Sequence, residues 1–321
     1  MPKEMSISSG KIQLEPGILW ELVIKQTERG ISCGALETIP TEYEYVEAEG
    51  INFLVRVISN LARKDAAKKS VSKNSNTSSQ EFNPFLPYDK DLFVTDISDT
   101  HLCLLNKFNV VEHHLLIVTR TFEEQESLLT LEDFEAMWVV LDEIDGLAFY
   151  NSGKIAGASQ RHKHLQWVPL PLSPSGERIA IAPMLATTIC EGVVEKIPSF
   201  PFVHALVKFD RHEMPSPQAA AKKTLECYFN LLRAVGLLND ESNGGNSPTG
   251  AYNLLSTREW MLIVPRSQEH FQSIPINSLG FAGALLVRNE EQMKVLKEFG
   301  PLQILKTVAI EQQSVENSIH C

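Results

Sequence analysis

Two histidines and a glutamine alternate along one short stretch of the chain. His162, His164 and Gln166 are spaced two residues apart in the segment HKHLQ. Because side chains at positions i, i+2 and i+4 of a β-strand lie on one face, we expect these three side chains to converge. A neutral imidazole is nucleophilic, and an amide can hydrogen-bond an anion without titrating. The pattern favours a site that handles a phosphate group.

A glycine-rich turn directly precedes these histidines. Its residues of interest are Asn151, Ser152, Gly153, Gly157, Ala158, Ser159 and Gln160. Glycine allows the backbone to approach a ligand closely, and successive backbone N–H groups can form an anion-binding concavity. A phosphate cradle beside a row of imidazoles predicts nucleotidyl transfer.

Two simpler interpretations of the histidine pair are open. Histidines on an exposed strand face can be ordinary surface residues, and neutral imidazoles are good zinc ligands. However, no cysteine or carboxylate stands at a helpful local spacing, and the adjoining turn favours a functional pair. Lys163, between the two histidines, is predicted to lie on the opposite face of the strand, in solvent.

Hydrophobic periodicity predicts the elements that must hold this site. Strands are predicted at residues 147–150 and 162–168, on either side of the glycine-rich turn. Thr130 opens a Thr-x-x-Asp capping signal before a helical apolar stripe, and residues 18–30 form a helical pattern that ends in a glycine. His114 is predicted to begin a buried strand.

The order of these elements indicates an α+β fold with largely antiparallel sheets and flanking helices. A similar order of predicted strands and one long helix occurs twice along the chain, which predicts two fused or duplicated halves. Because residues 169–201 are irregular and proline-rich, we expect an N-terminal domain at 1–175, which carries the histidines, and a C-terminal domain at 195–315. Residues 63–80, rich in Lys, Ser and Asn, predict a long loop.

The overall charge excludes one broad class of function. The 321 residues include 29 basic and 40 acidic ones, which gives a net charge of −11. Proteins that coat nucleic acid or anionic membrane present net positive surfaces, so neither partner is expected. Five widely spread cysteines without a C-x-x-C pair, and no signal-peptide-like or membrane-spanning apolar run, predict a cytoplasmic protein.

Four segments of the chain resemble one known family. Residues 104–119, 149–166, 252–265 and 277–288 are similar to diadenosine tetraphosphate phosphorylases, also called ATP adenylyltransferases. They form the transferase branch of the histidine-triad superfamily, in which a glutamine replaces the third histidine, as Gln166 does here. The resemblance implies a histidine-triad-like fold and the reversible phosphorolysis of diadenosine tetraphosphate to ATP and ADP. Phosphorolysis of adenylyl sulfate would use the same chemistry.

The resemblance also implies roles for particular residues. His164 would be the nucleophile that forms an adenylyl–histidine, Gln166 would hydrogen-bond a phosphate oxygen, and His162 would support them. Contacts with the nucleotide are implied for Lys64, Asn106, Lys107, Asn151, Gly157, Ala158, Ser159, Gln160, Asn277, Ser278, Leu279 and Arg288. Some relatives carry Ser at the position of Ala158, where a backbone N–H would have to replace the hydroxyl.

No tightly bound cofactor is expected, and Mg²⁺ would accompany the polyphosphate of the substrate. The expected partners are small nucleotides, namely diadenosine polyphosphates, ATP and ADP, together with phosphate. Two alternatives are a sugar-phosphate nucleotidyltransferase and a non-catalytic nucleotide-binding sensor. The first usually carries proline where this chain has Lys163. Retention of both histidines and the glycine-rich turn disfavours the second, since binding alone needs no nucleophile.

Overall fold

A computed structural model of the chain describes residues 10–58, 83–174, 177–186, 190–238 and 247–312. The predicted loop at 63–80, with Lys64, lies outside the described residues. The strands are β1 (Thr41–Ala48), β2 (Ile51–Ile58), β3 (Phe93–Asp96), β4 (His101–Leu105), β5 (Leu115–Thr119), β6 (Gly146–Asn151), β7 (His164–Pro169), β8 (Val194–Glu195), β9 (Ala205–Lys208), β10 (Tyr252–Ser256), β11 (Trp260–Pro265), β12 (His270–Phe271), β13 (Ile274–Pro275) and β14 (Ala284–Val287). The helices are α1 (Leu19–Cys33), α2 (Leu131–Glu143), α3 (Ala182–Leu185), α4 (Pro217–Ala234), α5 (Ser278–Phe281), α6 (Glu290–Phe299) and α7 (Pro301–Val308).

Within the described residues, a nine-stranded sheet is the centre of the fold. Its strand order is β3-β4-β5-β7-β6-β10-β11-β9-β8, and every neighbouring pair is antiparallel. A second sheet, β1-β2-β14, contains the parallel pair β2–β14. The predicted α+β class with largely antiparallel sheets and flanking helices is therefore confirmed.

Alternating side chains of the large sheet enter two separate cores. On one face, Leu165 and Trp167 of β7 pack with residues of α1, α2 and α4. On the other face, Phe149 and Val168 pack with residues of β2, β14, α6 and α7. Both faces of the sheet are thus covered, so a side chain that points away from the site enters a protein core and not solvent.

The sheet joins the two parts of the chain that were predicted as separate domains. At its middle, β6 pairs with β10 in the register Asn151↔Asn253 to Ala148↔Ser256. The division into domains at 1–175 and 195–315 stays a prediction, and strands from both parts belong to one sheet. In the described parts of the chain, no helix has the length and apolar character needed to cross a membrane.

Residues at the start of α2 and at the end of α1 determine where these two helices begin and end. The predicted cap of α2 is confirmed, since the Thr130 hydroxyl accepts from the Asp133 N–H at 3.4 Å and the Thr130 N–H donates to the Asp133 carboxylate at 2.7 Å. The predicted end of α1 is wrong. The helix continues through Gly30 to Cys33 and ends at Gly34, whose φ of 77° is the left-handed conformation that glycine adopts readily.

Candidate active site

His164 begins β7 with a defined tautomer. Its Nδ1 lies 2.8 Å from the carbonyl oxygen of His162. Because a carbonyl oxygen only accepts, Nδ1 carries the proton and Nε2 keeps its lone pair. Burial lowers the pKa of His164 to about 4, although the hydrogen bond to the His162 carbonyl acts in the opposite direction. Near neutral pH the ring is therefore uncharged, with Nε2 as its nucleophilic atom.

His162 is held through both of its ring nitrogens. Its Nε2–H donates to the carbonyl oxygen of Thr119 at 2.8 Å, and its Nδ1 accepts from the amide of Asn83 at 3.0 Å. The rings of Phe85 and Phe122 lie with their centroids 5.5 Å from that of the imidazole. With both nitrogens engaged, His162 has no lone pair to offer a substrate. This geometry fits the supporting role predicted for His162. It distinguishes His162 from His164, whose Nε2 keeps its lone pair.

Gln125 links β7, through His164, to the end of β6 by hydrogen bonds. Its side-chain oxygen accepts the backbone N–H of His164 at 2.8 Å. Its amide nitrogen donates to the carbonyl oxygens of Asn151 at 3.0 Å and His164 at 3.1 Å. This residue was not predicted, since a lone glutamine in a polar stretch carries no spacing signal.

Gln166 belongs to a chain of three side chains. The amide of Asn106 donates to Nδ1 of His114 at 3.1 Å, and Nε2–H of His114 donates to the side-chain oxygen of Gln166 at 3.0 Å. Burial lowers the pKa of His114 to about 4, with the Gln166 bond opposing it, so the ring is neutral. His114 was predicted to start a buried strand. It is buried, but it also lines the cavity described below.

Two glycines of the turn adopt backbone conformations that other residues rarely adopt. Gly153 and Gly157 adopt φ values of 82° and 91°, and a Cβ added to Gly157 would lie 2.8 Å from the carbonyl oxygen of Ile276. The Ala158 N–H donates to the Gly153 carbonyl at 3.1 Å, so it cannot replace a missing hydroxyl as proposed above.

The next part of the turn has backbone donors without a protein acceptor among the described residues. Ser159 and Gln160 follow Ala158, and among the described residues their backbone N–H groups have no protein acceptor. Ser159 lines the cavity described below and Gln160 does not, so the Ser159 N–H is the one suited to a phosphate oxygen there.

Asn151 connects the end of β6 with the C-terminal part of the chain. Its side-chain oxygen accepts from the backbone N–H of Ser278 at 2.9 Å, the hydroxyl of Ser278 at 2.8 Å and the amide of Asn253 at 2.9 Å. The Asn253 amide also donates to the carbonyl of Ala156 at 2.8 Å. Three donors on one oxygen fix the Asn151 side chain, so its remaining amide group has one orientation at the cavity wall.

Arg266 is a buried cation that organises the same region. It donates to the Asn253 side-chain oxygen at 2.6 Å and to the backbone carbonyls of Ile276 at 3.0 Å and Val308 at 3.1 Å. Burial lowers its pKa to about 10, with Glu269 acting in the opposite direction, so the guanidinium stays charged at neutral pH. Arg266 was not predicted as a site residue, although a charged residue directly after the apolar strand β11 is an available signal.

Asn106, His114, Asn151 and Gln166 line a cavity of about 320 Å³. Seven of the residues predicted to form the site line it, and they are Asn106, Asn151, Gly157, Ser159, Gln166, Asn277 and Leu279. Others lie close behind: Ser278 is fully buried against Asn151, and His164 lies beside the cavity wall on the same strand as Gln166. Lys107, Ala158, Gln160 and Arg288 do not contribute to the lining, and Lys64 lies outside the described residues.

The interpretation of Lys163 as a solvated residue is wrong. Its side chain is 1% exposed, and its Nζ lies 2.6 Å from the Asp133 carboxylate and 3.1 Å from that of Glu123. The alternation placed it correctly on the face opposite His164. That face is covered by α2 and its neighbours, so the ammonium is paired inside the protein.

The sequence profiles of two known protein domains match this chain. Residues 9–187 match the sequence profile of the Ap4A phosphorylase N-terminal domain, where Ap4A is diadenosine tetraphosphate, and residues 198–311 match that of the ATP adenylyltransferase C-terminal domain. The chain belongs to the Ap4A phosphorylase family. Membership makes it a nucleotidyltransferase enzyme, and the resemblance inferred from the four sequence segments is confirmed.

Relatives of this Ap4A phosphorylase family member come from yeast. "Diadenosine 5',5'''-P1,P4-tetraphosphate phosphorylase 2" of Saccharomyces cerevisiae is 33% identical over 260 residues, which cover 73% of this chain and 76% of the relative. "Protein APA1" of the same organism is 31% identical over 214 residues, or 61% of this chain and 64% of the relative.

Solved structures of yeast Ap4A phosphorylase Apa2 share the fold. The complex with AMP matches with a TM-score of 0.75 at 24% identity and covers 94% of this chain and all of that chain. The complex with Ap4A matches with a TM-score of 0.73 at 23% identity, with the same coverage.

Proposed function

We propose that this chain catalyses the reversible phosphorolysis of Ap4A by inorganic phosphate, which gives ATP and ADP through an adenylyl–His164 intermediate. The observation that carries the proposal is the state of His164. Its ring is neutral, Nδ1–H is bound to the His162 carbonyl, and Nε2 has no protein partner among the described residues. The yeast relative that is 33% identical bears the same activity in its name.

In the first step, Nε2 of His164 attacks the α-phosphorus of Ap4A. The new P–N bond forms as the P–O bond to the β-phosphate breaks, and ATP leaves with the bridging oxygen. The ring gains positive charge while its proton stays on Nδ1. The hydrogen bond from Nδ1–H to the His162 carbonyl strengthens as that charge develops, so it favours the transition state over the resting ring.

In the second step, a phosphate oxygen attacks the adenylyl group. The P–N bond breaks, ADP leaves, and His164 regains its lone pair. No residue has to supply or remove a proton at Nε2 in either step. A side chain that stabilises phosphate oxygens without titrating is sufficient, and Gln166 lines the cavity with such a group.

The cavity accounts for binding of the small nucleotides that the family uses. The free backbone N–H of Ser159 and the fixed amide of Asn151, two residues that line the cavity, supply donors for the α-phosphate. We propose that Mg²⁺ arrives with the polyphosphate of the substrate. No cluster of three or more His, Cys, Asp or Glu that could hold a metal ion occurs in the described parts of the chain.

Two narrower points remain proposals. Phosphorolysis of adenylyl sulfate would pass through the same adenylyl–His164, with sulfate as the leaving group in place of ATP. A cytoplasmic location rests on the sequence, because the five cysteines are scattered and a reducing compartment suits them. The four cysteines within the described residues are all free thiols.

The mechanism can be tested with Ap4A that carries a radioactive α-phosphorus. We expect incubation without phosphate to label the protein through a bond that is acid-labile and alkali-stable, as a phosphoramidate is. Phosphate should then discharge the label as ADP. No label on the wild type, or equal label on His164→Ala, would refute the intermediate.

A second histidine serves as the matched control for mapping the label. The Nδ1 of His204 donates to the Phe202 carbonyl at 2.8 Å, which repeats the geometry of His164. However, its Nε2 accepts the backbone N–H of Ile197 at 2.7 Å and cannot attack phosphorus. Label must therefore map to His164 and not to His204. Discharge by a sugar phosphate alone would indicate the sugar-phosphate alternative, and tight binding without label would indicate a sensor.

A further inference from the structure

We infer that His114 is a positioning residue for the adenylyl transfer: it holds the oxygen of the Gln166 side chain, so that the Gln166 amide nitrogen faces the reacting phosphate. The inference rests on the proposed function, because it assigns the part that Gln166 takes in that reaction. It starts from the hydrogen bond of 3.0 Å between His114 Nε2 and Gln166 Oε1.

The direction of each hydrogen bond in the chain is fixed. Nδ1 of His114 lies 3.1 Å from the amide nitrogen of Asn106, which can only donate, so Nδ1 accepts. The proton of a neutral ring is then on Nε2, and this N–H must donate to Gln166. The Gln166 oxygen is thereby occupied, and its –NH₂ group is the part left for a ligand. A glutamine without this partner could present either end of its amide to the cavity.

The orientation matters because a phosphate oxygen needs a donor. If the Gln166 oxygen faced the phosphate, it would repel the negative charge that builds up in transfer. The chain Asn106–His114–Gln166 also polarises in one direction, since each N–H is made a better donor by the acceptor role of the same group. All three residues line the cavity, so the chain runs along its wall.

His114 is itself held firmly. It is buried, and its ring centroid lies 5.7 Å from that of Phe149. It also directly precedes β5, which pairs with β7 in the register Leu116↔Gln166. The backbone therefore sets the distance from His114 to Gln166, and the side-chain bond sets only the direction of the amide. A substitution at His114 can change that direction while the strands stay in place.

The test uses two substitutions that differ by one methylene. His114→Gln retains a side-chain amide long enough to reach Gln166, whereas His114→Asn can reach Asn106 but falls short of Gln166. We expect His114→Asn to lower kcat for adenylyl transfer roughly 10- to 100-fold with KM nearly unchanged, because a donor to the transition state is lost. His114→Gln should recover most of that loss.

A double-mutant cycle separates positioning from general damage. In the background of Gln166→Leu, the further change His114→Asn should lower kcat less than about twofold, because the amide it orients is gone. His113→Asn is the matched control, since the His113 ring contacts Thr27 and Trp20 outside the cavity. Asparagine tolerates the φ of 55° at that position.

The outcomes of this test are distinct from those of the labelling experiment. The role of His114 would be overturned if His114→Asn lowered kcat equally in the wild-type and Gln166→Leu backgrounds, or if His114→Asn were fully active. Neither result would bear on the adenylyl–His164 intermediate. Absence of label on the wild-type protein would overturn the proposed function itself. Thermal unfolding of each variant shows whether the strands are intact. If His114→Asn does not fold, His114→Leu, which also lacks the donor to Gln166, replaces it in the cycle with Gln166→Leu.

Discussion

The ammonium group of Lys163 lies 2.6 Å from the carboxylate of Asp133, and each side chain is 1% exposed. Lys163 also donates to Glu123 and to the Leu128 carbonyl, so its three N–H groups are all used. Burial would raise the pKa of Asp133, but Lys163 and His101 hold that pKa below its usual value. Burial would likewise lower the pKa of Lys163, but Asp133 raises it. Both groups of the pair are therefore ionised, on the face opposite His164 that α2 covers.

Removal of one partner of this pair should be strongly destabilising. We expect Lys163→Met to lower the free energy of unfolding by about 3–5 kcal/mol, because it leaves the Asp133 carboxylate buried without its cation. Urea unfolding followed by circular dichroism measures this loss. Lys223→Met is the matched control, since Lys223 makes a contact of the same 2.6 Å to Glu213 but on the surface, with side chains 30% and 53% exposed. It should cost about 1 kcal/mol or less, and equal losses would contradict this account.

Gly157→Ala should reduce both stability and adenylyl transfer. An alanine there has an unfavourable φ of 91°, and its Cβ would press against the Ile276 carbonyl at 2.8 Å. Gly192→Ala is the control, because Gly192 has a similar φ of 73° but open space around it. Gly192→Ala should cost about 1 kcal/mol of stability and leave kcat unchanged. A normal kcat for Gly157→Ala would show that the turn tolerates displacement.

Stability should fall as the solution becomes mildly acidic. His114 and His164 each have a pKa lowered by burial to about 4, against about 6.5 in an unfolded chain. The unfolded state therefore binds more protons between these values, and the folded state loses stability as pH falls from 6.5 to 4. The loss between pH 7 and pH 5 should be roughly 2 kcal/mol per histidine. Urea midpoints at both pH values test it, and His164→Gln should flatten the dependence.

Arg266→Lys should weaken the site although the charge is kept. Arg266 serves Val308 from Nε and serves Asn253 and Ile276 from a terminal nitrogen, and the single nitrogen of a lysine cannot occupy both positions. We expect a loss of roughly 2–3 kcal/mol in unfolding free energy, because buried acceptors lose their donors. A rise in KM for Ap4A should accompany it, since Asn253 fixes Asn151. Unchanged KM with reduced stability would limit Arg266 to a structural role.

The sequence was informative where chemistry and periodicity coincide. The alternation at His162, His164 and Gln166 predicted a strand at residues 162–168, and the strand is present but begins at His164, with His162 before it. The capping signal at Thr130 was confirmed because both of its hydrogen bonds are local. Each of these features depends on residues within a few positions of one another.

Features that depend on distant parts of the chain could not be predicted. Lys163 was assigned to solvent because alternation gives the face of a strand and not what covers that face. His114 was assigned to the core, since its partner Gln166 lies 52 residues away. Arg266 donates to acceptors in segments that are close to one another only in the folded protein. The parallel pairing of β14 with β2 is likewise absent from any local pattern.

The pairing of β6 with β10 has a consequence for how the molecule is made. Asn151 meets Asn253 across this pair and Ser278 beyond it, at separations of 102 and 127 residues. Contacts of such long range form slowly, because a large loop must close before they stabilise the chain. While the polypeptide is being synthesised, the histidine strand can fold long before the residues that complete the cavity wall exist. Each chain thus becomes catalytically active only late in folding. Recovery of activity after denaturation therefore indicates that the whole sheet has formed.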